Sequence, residues 1–472
     1  MNRYKKLAVN SIIFAVGNFG SKLISLLLVP LYTYYLSTEQ FGTVDLITTT
    51  ITLLLPFFTM SVYEAVLRFV MDRNYDRRSV LSNALILTGI GLLIAFFIYP
   101  IFVRIFPFHD FMLYFYLFLF TKSVNNSLMQ FIRAEGKVKL FASVGIISAL
   151  IVLIGSLIFL VQWNMGTAGY LLSLISADLV SCAIMILFGK VYRHFSIRSL
   201  DLNLLREMLI YSMPLIPNAL MWWIMAVSDR YFITYFVGIG ANGLYAMANK
   251  IPNILNMVNS IFFQAWQMSA IEEAGSKEKD TFFTNVFHIF ATTMFLCTSG
   301  LLVFLKLLME IVIAPAFYQA WAYVPFLLLA VVFASFSGFL GTNYIAAKKT
   351  MGAFRTSVIG ALVNVALNFM LIPTIGTNGA SLSTMISFLV IWILRMIETS
   401  RFVTIQLNLW KMSAALAVLL IQIAVLYLSL PAEFMIEASL FFVLLFMNRR
   451  ECFLLTGKVG GAMKRRVFKH GV

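Results

Sequence analysis

The chain has few charged residues and few residues of the types that build soluble enzymes. Charged side chains make up 12% of its 472 residues, and there are only 4 histidines and 3 cysteines. The cysteines are scattered, which argues against a disulfide framework or a cysteine metal site. The histidines are dispersed, and no nucleophile elbow, Walker motif or other glycine-rich phosphate loop occurs. We therefore expect no enzymatic activity, no cofactor and no direct use of ATP.

Long apolar runs are what the sequence does contain. Hydrophobic residues account for 61% of the chain and the mean hydropathy is +0.90. These values predict an all-α integral membrane protein. We predict fourteen transmembrane helices, at about 8–35, 43–70, 80–103, 111–134, 140–161, 169–190, 206–236, 243–270, 281–305, 321–346, 353–373, 379–399, 410–429 and 432–448. The first run lacks a small-residue cleavage site and is expected to be a span, not a signal peptide.

The distribution of basic residues predicts the orientation of these helices. Lys and Arg concentrate on the cytoplasmic side of membrane proteins. With the N-terminus inside, the predicted cytoplasmic segments contain 29 of the 35 Lys and Arg residues. Both termini are therefore expected to be cytoplasmic, and most of the net charge of +15 is explained by orientation. The basic C-terminal tail has no aromatic stacking platform, so we expect no nucleic-acid partner.

Matching positions recur along the chain at a nearly constant offset of about 200 to 210 residues. They are Gly42 and Gly243, Asn18 and Asn218, and the outer-loop sequences GTAG at 166–169 and GTNG at 376–379. The recurrence predicts two six-helix lobes with the same order and orientation, a parallel pseudo-repeat typical of transporters. The expected domains are an N-terminal lobe at 1–205, a C-terminal lobe at 206–400, and an appended helix pair with a basic tail at 401–472.

A polar stripe runs along the predicted eighth span, in the sequence NKIPNILNMVNSIFFQAWQ. Its members are Asn249, Asn253, Asn256, Ser260, Gln264 and Gln267. At about 100° per residue they share one helix face, over a length of about 27 Å. Such a face cannot contact lipid, so it either bonds to a neighbouring helix or lines a hydrated cavity. We favour the cavity, because a dry interface would need a partner for every member.

Charged residues within the spans are the next candidates, since each costs at least ~2.5–3.5 kcal/mol at the membrane centre. Lys22 lies in the first span and Lys122 in the fourth, where Asn126 and Arg133 share its helix face. Asp178 in the sixth span is the one acidic residue at similar depth. Each lysine is therefore expected either to pair with Asp178 or to bind an anionic ligand.

Further charged residues occur as near neighbours in sequence. Glu64 and Arg68 are four residues apart in the second span, a spacing that allows an ion pair on a helix. Asp229 and Arg230 are adjacent in the seventh span, and Lys250 lies near the outer end of the eighth. These groups are interpreted as structural ion pairs or as gates.

Two stretches carry a resemblance to a known family. The run SMPLIPNALMWWIMAVSDRYFITYFVGIGANGLYAMANKIP and the earlier run SKLISLLLVPLYTYYLSTEQFG resemble bacterial polysaccharide transporters of the multidrug/oligosaccharidyl-lipid/polysaccharide exporter superfamily. The likeness is greatest to Wzx-type O-antigen, capsule or exopolysaccharide flippases and covers essentially the whole chain. It implies alternating access in the bacterial cytoplasmic (inner) membrane. The implied substrate is a polyprenyl-pyrophosphate-linked oligosaccharide, and the implied partners are the polysaccharide polymerase and chain-length machinery.

The resemblance and the intramembrane residues together give three sets of candidate site residues. The first set would bind the pyrophosphate and contains Lys22, Lys122, Arg133 and Lys250. The second would line the sugar path and contains Asn18, Asn126, Asn218, Asn249, Asn253, Asn256, Gln264 and Gln267. The third would gate the path or couple it to an ion and contains Glu64, Arg68, Asp178, Asp229 and Arg230. Of these, only the Asp229–Arg230 pair matches a family motif by residue; the lysines match a cationic cavity in type and depth.

Other functions stay open at this point. A multidrug exporter of the same superfamily would bind lipophilic cations and is expected to have an acidic cavity. A peptidoglycan lipid-precursor flippase would move a related substrate. A membrane glycosyltransferase or polymerase is the alternative from a different class, and it would work in detergent, where no leaflets exist.

Overall fold

The computed structural model describes residues 20–72, 74–273, 279–346, 350–401 and 403–453. Side chains are not described at 264, 265, 267–273, 345, 346 and 350. Asn18 and the side chains of Gln264 and Gln267 therefore lie outside the described residues. The described residues form helices and loops without a β-strand, and 10 helices are long and apolar enough to cross a membrane. The all-α membrane fold is confirmed, whereas the count of fourteen spans and the cytoplasmic termini stay predictions.

Twenty α-helices can be numbered in chain order. The first is described over 20–35 and is named α1. The first half continues with α2 Thr38–Phe58, α3 Val62–Met71, α4 Arg77–Phe97, α5 Tyr99–Ile105, α6 Met112–Ala134, α7 Val138–Ser156, α8 Gly166–Phe188 and α9 Leu202–Ser212. The second half contains α10 Leu215–Val227, α11 Asp229–Phe236, α12 Ile239–Ala248, α13 Lys250–Glu273, α14 Lys279–Val303, α15 Leu305–Val312, α16 Val324–Ala346, α17 Thr350–Ile375, α18 Thr377–Thr399, α19 Leu409–Leu428 and α20 Glu433–Met447.

The predicted second span is two helices in the structure. Pro56 lies inside α2 near its end, and Met60 and Ser61 then adopt left-handed φ angles of 49° and 51°. A proline removes a helical hydrogen bond, and a left-handed residue ends the helical path. The helix is interrupted there, and α3, which follows the break, packs against α6. This break brings α3 to the site described below.

The predicted seventh span is likewise divided, into α9, α10 and α11. Pro214 lies in the gap between α9 and α10, where the absence of its N–H interrupts the helical hydrogen bonds. The sequence stays apolar through this break. The length of the apolar run therefore could not predict where the helix is interrupted.

The helices form two compact units. The first comprises Met1–Trp223 with Gly238–Gly243, and the second comprises Ile224–Val237 with Leu244–Val472. In the first unit, one apolar cluster joins α3, α4, α6, α8 and α9, and a second joins α2, α5, α6 and α8. The domain boundaries predicted at 205 and 400 stay predictions.

Aromatic stacking forms much of the core of the second unit. The rings of Phe262 and Phe290 stack with centroids 4.0 Å apart, and those of Trp266 and Phe339 with centroids 4.3 Å apart. These contacts join α13, α14 and α16, and pairs of this kind add about 0.5–1.5 kcal/mol beyond burial. Trp266 also donates its indole N–H to the hydroxyl of Thr342 at 3.0 Å, which satisfies a polar group in the core.

A buried arginine joins three helices of the second unit. Arg395 on α18 is 5% exposed. Its guanidinium donates to the hydroxyls of Thr356 and Ser357 at 3.1 and 3.0 Å, and to the carbonyls of Ser337 and Ala353 at 3.0 and 3.3 Å. The planar fork of arginine suits such divergent acceptors. Arg395 therefore ties α18 to α16 and α17.

Helices α19 and α20 pack on α14. Buried polar bonds fix the contact: Ser299 donates to Gln422 at 2.7 Å, and Thr292 donates to Asn448 at 3.2 Å. The predicted appended pair is thus held by hydrogen bonds as well as by apolar packing.

Two of the repeat glycines meet at a helix crossing in the first unit. A Cβ added to Gly42 on α2 would overlap the carbonyl oxygen of Ile239, and one added to Gly243 on α12 would overlap that of Thr38. Asn242 donates its amide to the Gly42 carbonyl at 3.1 Å. The backbones of α2 and α12 are therefore in direct contact, which only residues without a Cβ allow.

The outer-loop glycines of the repeat also share their conformations. Gly166 and Gly376 both have left-handed φ angles, of 53° and 64°, at the start of α8 and α18. Three residues later, Gly169 and Gly379 lie against backbone atoms of the preceding helical segment, with no room for a Cβ. Matching sequence positions thus perform matching structural tasks.

We predict that Gly42→Ala and Gly243→Ala each destabilise the protein. The added methyl group meets backbone atoms that cannot rotate away, so the helices must separate, at a cost on the order of 1–3 kcal/mol. The measurement is the apparent melting temperature of the purified protein in detergent. Gly89→Ala on α4 is the matched control, because nothing lies within 4 Å of its added Cβ. Equal melting temperatures for Gly42→Ala and Gly89→Ala would contradict the crossing.

Candidate functional site

A cavity of about 340 Å³ lies in the first unit, between α3, α6, α7 and α8. Its volume is within the range of small-molecule sites. The lining residues are Tyr63, Lys122, Asn125, Asn126, Met129, Gln130, Arg133, Phe141, Val144, Gly145, Ser148, Asp178 and Ser181. We call it the α6 cavity, because α6 contributes most of its polar side chains.

Helix periodicity explains why α6 provides this surface. Lys122, Asn126 and Arg133 lie at about 0°, 40° and 20° around the helix axis, so all three project from one side. The sequence placed them on a shared face, and in the structure all three line the α6 cavity. The opposite side of α6 carries buried apolar residues such as Leu128 and Phe131, which fix the rotation of the helix.

Lys122 and Asp178 form an ion pair at the wall of this cavity. The Lys122 Nζ lies 3.6 Å from the Asp178 Oδ1, and the two side chains are 39% and 7% exposed. The amide of Asn125 donates to the backbone carbonyl of Asp178 at 3.3 Å and holds α6 against α8. Among the described residues, the Asp178 Oδ2 has no hydrogen-bond partner. The structure thus favours the pairing interpretation for Lys122, while leaving its ammonium group accessible from the cavity.

The lining chemistry of the α6 cavity favours an anionic, polar ligand. It contains two basic side chains, Lys122 and Arg133, and one carboxylate, Asp178, so the formal charge is positive. Amides that both donate and accept, and hydroxyl groups, complete the polar lining. Charged donors form stronger hydrogen bonds with phosphate oxygens than neutral donors do.

The other predicted pyrophosphate ligands lie elsewhere. Lys22 on α1 is exposed, is not part of the α6 cavity lining, and pairs with no acidic side chain among the described residues. Lys250 is half-buried at the start of α13 in the second unit and takes part in another interaction. Of the four predicted residues, the structure therefore brings together Lys122 and Arg133.

The polar stripe on α13 is only partly engaged. Asn253 and Asn256 are exposed, and the Asn256 amide donates to the Asn253 carbonyl at 3.4 Å. Asn249 donates to the backbone carbonyl of Tyr245, one turn earlier, at 2.9 Å. These contacts are local, and within the described residues they do not join α13 to another helix. Asn218 on α10 is also exposed.

Asp229 and Arg230 are buried together in the second unit. The Arg230 Nη1 lies 3.5 Å from the Asp229 Oδ1. Tyr245 on α12 donates its hydroxyl to the Asp229 Oδ2, and Thr384 on α18 donates to the same oxygen at 3.4 Å. The carboxylate therefore has a cation and two hydroxyl donors, as a charge removed from water requires.

The network continues through α17. Ser228 donates to the Asn364 Oδ1 at 3.3 Å, and Asn368 donates to the same oxygen at 3.1 Å. Asn364 in turn donates to Thr384 at 3.4 Å. The network connects α11, α17 and α18, and sequence reasoning anticipated only its Asp229–Arg230 pair.

The predicted pair of Glu64 and Arg68 is not among the ion pairs of the described residues. Arg68 pairs with Asp72 at 3.8 Å, one turn further along the chain. Glu64 lies half-buried on α3. Both spacings are four residues, so sequence alone could not choose between them.

Sequence reasoning also missed several lining residues of the α6 cavity. Asn125 and Gln130 lie next to the helix face that Lys122, Asn126 and Arg133 share. A wider definition of that face would have included Gln130. Tyr63, Ser148 and Ser181 come from three other helices. They carry no signal in sequence, because only tertiary packing places them opposite α6.

Solved structures with the same fold are transport proteins. A lipid II flippase, MurJ, in an inward closed conformation matches with a TM-score of 0.73 at 13% identity, covering 95% of this chain and 99% of its own. An inward-facing multidrug resistance MATE family transporter of the MOP superfamily matches with a TM-score of 0.65 at 14% identity, covering 81% of this chain and 95% of its own. A Vibrio cholerae MATE transporter gives 0.58 at 15% identity, with 84% and 96% covered. The chain thus has the fold of MurJ and of these MATE transporters, and these neighbours are flippases and transporters, not enzymes.

The profile of the polysaccharide biosynthesis protein family matches residues 7–267, more than half of the 472 residues, and the chain belongs to this family. This confirms the resemblance seen in the sequence. No curated protein matches the chain significantly.

We predict that Lys122→Ala destabilises the protein and that Asp178→Asn largely reverses the effect. Removing the lysine leaves a buried carboxylate without its cation, a loss of roughly 1–3 kcal/mol. In the double variant, no unpaired charge remains. The measurement is a double-mutant cycle. It compares the apparent melting temperatures of the wild type, both single variants and the double variant. Strictly additive changes would show that the two residues do not interact.

Proposed function

We propose that this protein translocates a polyprenyl-pyrophosphate-linked oligosaccharide from the cytoplasmic to the outer leaflet of the bacterial inner membrane, by alternating access, for surface polysaccharide synthesis. The α6 cavity carries this proposal, because it combines two cations with amides and hydroxyls in a membrane-spanning unit. Membership of the polysaccharide biosynthesis protein family supports the substrate class. The fold shared with MurJ, which is named as a lipid II flippase, supports the type of transport.

In this proposal the pyrophosphate binds in the α6 cavity. Its oxygens would accept hydrogen bonds from Lys122 and Arg133 on α6 and from the amide of Asn126. Lys22 was expected to share this task, but the structure does not place it at the cavity, so Arg133 takes its role here. The polyprenyl tail would stay in the lipid, because it is a hydrocarbon without polar groups.

The sugars would move along exposed amides, chiefly those of Asn253 and Asn256 on α13. Each amide offers two donors and an acceptor, which suits sugar hydroxyls. Their exposure supports this role, because amides that bonded α13 to another helix would be buried. The rest of the stripe, including Gln264 and Gln267, and Asn218 would contribute in the same way.

Multidrug export is the second candidate, since MATE transporters share the fold. The positive formal charge of the α6 cavity disfavours the lipophilic cations that such exporters bind.

A peptidoglycan lipid-precursor flippase would also bind a pyrophosphate, and it differs in being indispensable for growth. The polymerase and chain-length machinery are proposed as partners at the outer face.

We predict that Lys122→Ala combined with Arg133→Ala reduces surface polysaccharide tenfold or more at equal protein level. Each charge-assisted hydrogen bond contributes about 1.5–3 kcal/mol, and ~1.4 kcal/mol corresponds to a factor of ten. The measurement is surface polysaccharide in a deletion strain complemented with the variant. The lipid-linked oligosaccharide should accumulate in the cytoplasmic leaflet.

Lys139→Ala is the matched control for this experiment, because Lys139 is an exposed lysine outside the α6 cavity. It should leave export unchanged. Full export by the double variant would refute the pyrophosphate role of the cavity. Loss of drug resistance with intact polysaccharide would support multidrug export instead.

We predict that Asn253→Leu combined with Asn256→Leu impairs export while the protein remains folded. Both side chains are exposed and bond only to each other among the described residues, so little stability depends on them. Leucine removes the hydrogen bonds but retains a similar volume. Export and the melting temperature are measured together. Ile261→Val, at an exposed apolar position of the same helix, is the control. Unchanged export would leave the stripe without a transport role.

A further inference from the structure

The Lys122–Asp178 pair has an unequal arrangement. Lys122 is well exposed on the cavity side, whereas Asp178 is buried. The carboxylate has one charged partner, at 3.6 Å, and its second oxygen has no hydrogen-bond donor among the described residues. The Ser181 hydroxyl, one turn along α8, is also buried without a partner there. The negative charge of Asp178 therefore depends on a single cation.

An anion that binds Lys122 competes for that cation. The ammonium group that turns toward a phosphate oxygen weakens its contact with the carboxylate. A buried carboxylate without a cation is strongly unfavourable, and such a group becomes neutral by taking up a proton. A proton supplied by the bulk solvent would reside on Oδ2, which has no hydrogen-bond donor among the described residues, while the Lys122 ammonium bonds to the anion.

The groups that face Asp178 permit this exchange. Lys122 on α6 and Tyr63 on α3 line the cavity with it, and Cys182 is its buried neighbour on α8. Arg133 also lines the cavity and has other interactions. The cavity residues on α7 are apolar, glycine or serine. Among the residues lining the cavity, Asp178 is thus the only carboxylate.

We propose that Asp178 binds one proton when an anionic head group binds Lys122, so that anion and proton occupy the first unit together. The inference rests on the proposed function, since it requires an anion in the α6 cavity. The proposal fixes the sign of the coupling between anion binding and proton binding. Anion and proton bind cooperatively, which is the opposite of a mechanism in which a proton displaces the substrate. Release of the anion would let Lys122 return to Asp178 and expel the proton on the same side.

The test uses the full-length protein in detergent and farnesyl pyrophosphate as the probe. Wild-type affinity should fall as the pH rises from 6 to 9, by up to about tenfold per pH unit beyond the change seen in the variant, the limit for one linked proton. Asp178→Asn should bind the probe at least as tightly as the wild type at high pH, with a weaker pH dependence. Titration of the probe itself is common to both proteins and cancels in the comparison. Asp110→Asn, at an exposed carboxylate outside the cavity, is the control and should behave like the wild type.

The outcomes separate this inference from the proposed function. No binding of the probe to the wild type would refute the pyrophosphate site itself. Binding with the same pH dependence in the wild type and Asp178→Asn would overturn the proton linkage and leave the site standing. If Asp178→Asn does not fold, calorimetry of the wild type with sulfate, in two buffers of different ionisation enthalpy, decides. Proton uptake on binding supports the inference, and its absence overturns it.

Discussion

The absence of water in the membrane interior is the constraint on which this structure depends. A polar group inside a span must find a partner in the protein or line a space that water can enter. Arg395 meets the requirement with four acceptors from two other helices, and Asp229 meets it with a cation and two hydroxyls. Each solution fixes helices relative to one another. Polar residues in this chain therefore act as structural joints wherever they are fully satisfied.

The candidate site differs from these joints because it is incompletely satisfied. Lys122 has one partner and substantial exposure, and Asp178 keeps an oxygen without a donor among the described residues. On α13, the side chains of Asn253 and Asn256 bond only to each other within the described part of the chain. Incomplete satisfaction leaves hydrogen-bonding capacity for a ligand, whereas the Arg395 and Asp229 networks have used most of theirs. This contrast, more than the mere presence of charge, distinguishes the candidate site from the Arg395 and Asp229 networks.

Helix periodicity accounts for how much of the site was predictable. The shared face of Lys122, Asn126 and Arg133 follows from residue spacing alone, because neighbours on a helix are fixed by its geometry. From sequence, pairing of Lys122 with Asp178 was one of two interpretations, the other being binding of an anionic ligand. Sequence could not decide between them, because residues 56 positions apart meet only through tertiary packing. Arg68 illustrates the same limit at short range: carboxylates lie four residues before and four residues after it, and in the structure it pairs with Asp72.

The sequence by itself determined that the chain is helical and membrane-embedded, which positions are polar within its spans, and which glycines correspond between its halves. These features depend on composition and on the spacing of polar and apolar residues along the sequence. Both can be determined without knowing how the helices pack. Tertiary structure decided where the spans break, that Gly42 and Gly243 touch, and that Lys122 and Arg133 share a cavity which Lys22 does not line. Those outcomes depend on which helix faces come together, and that choice is made by packing over the whole molecule.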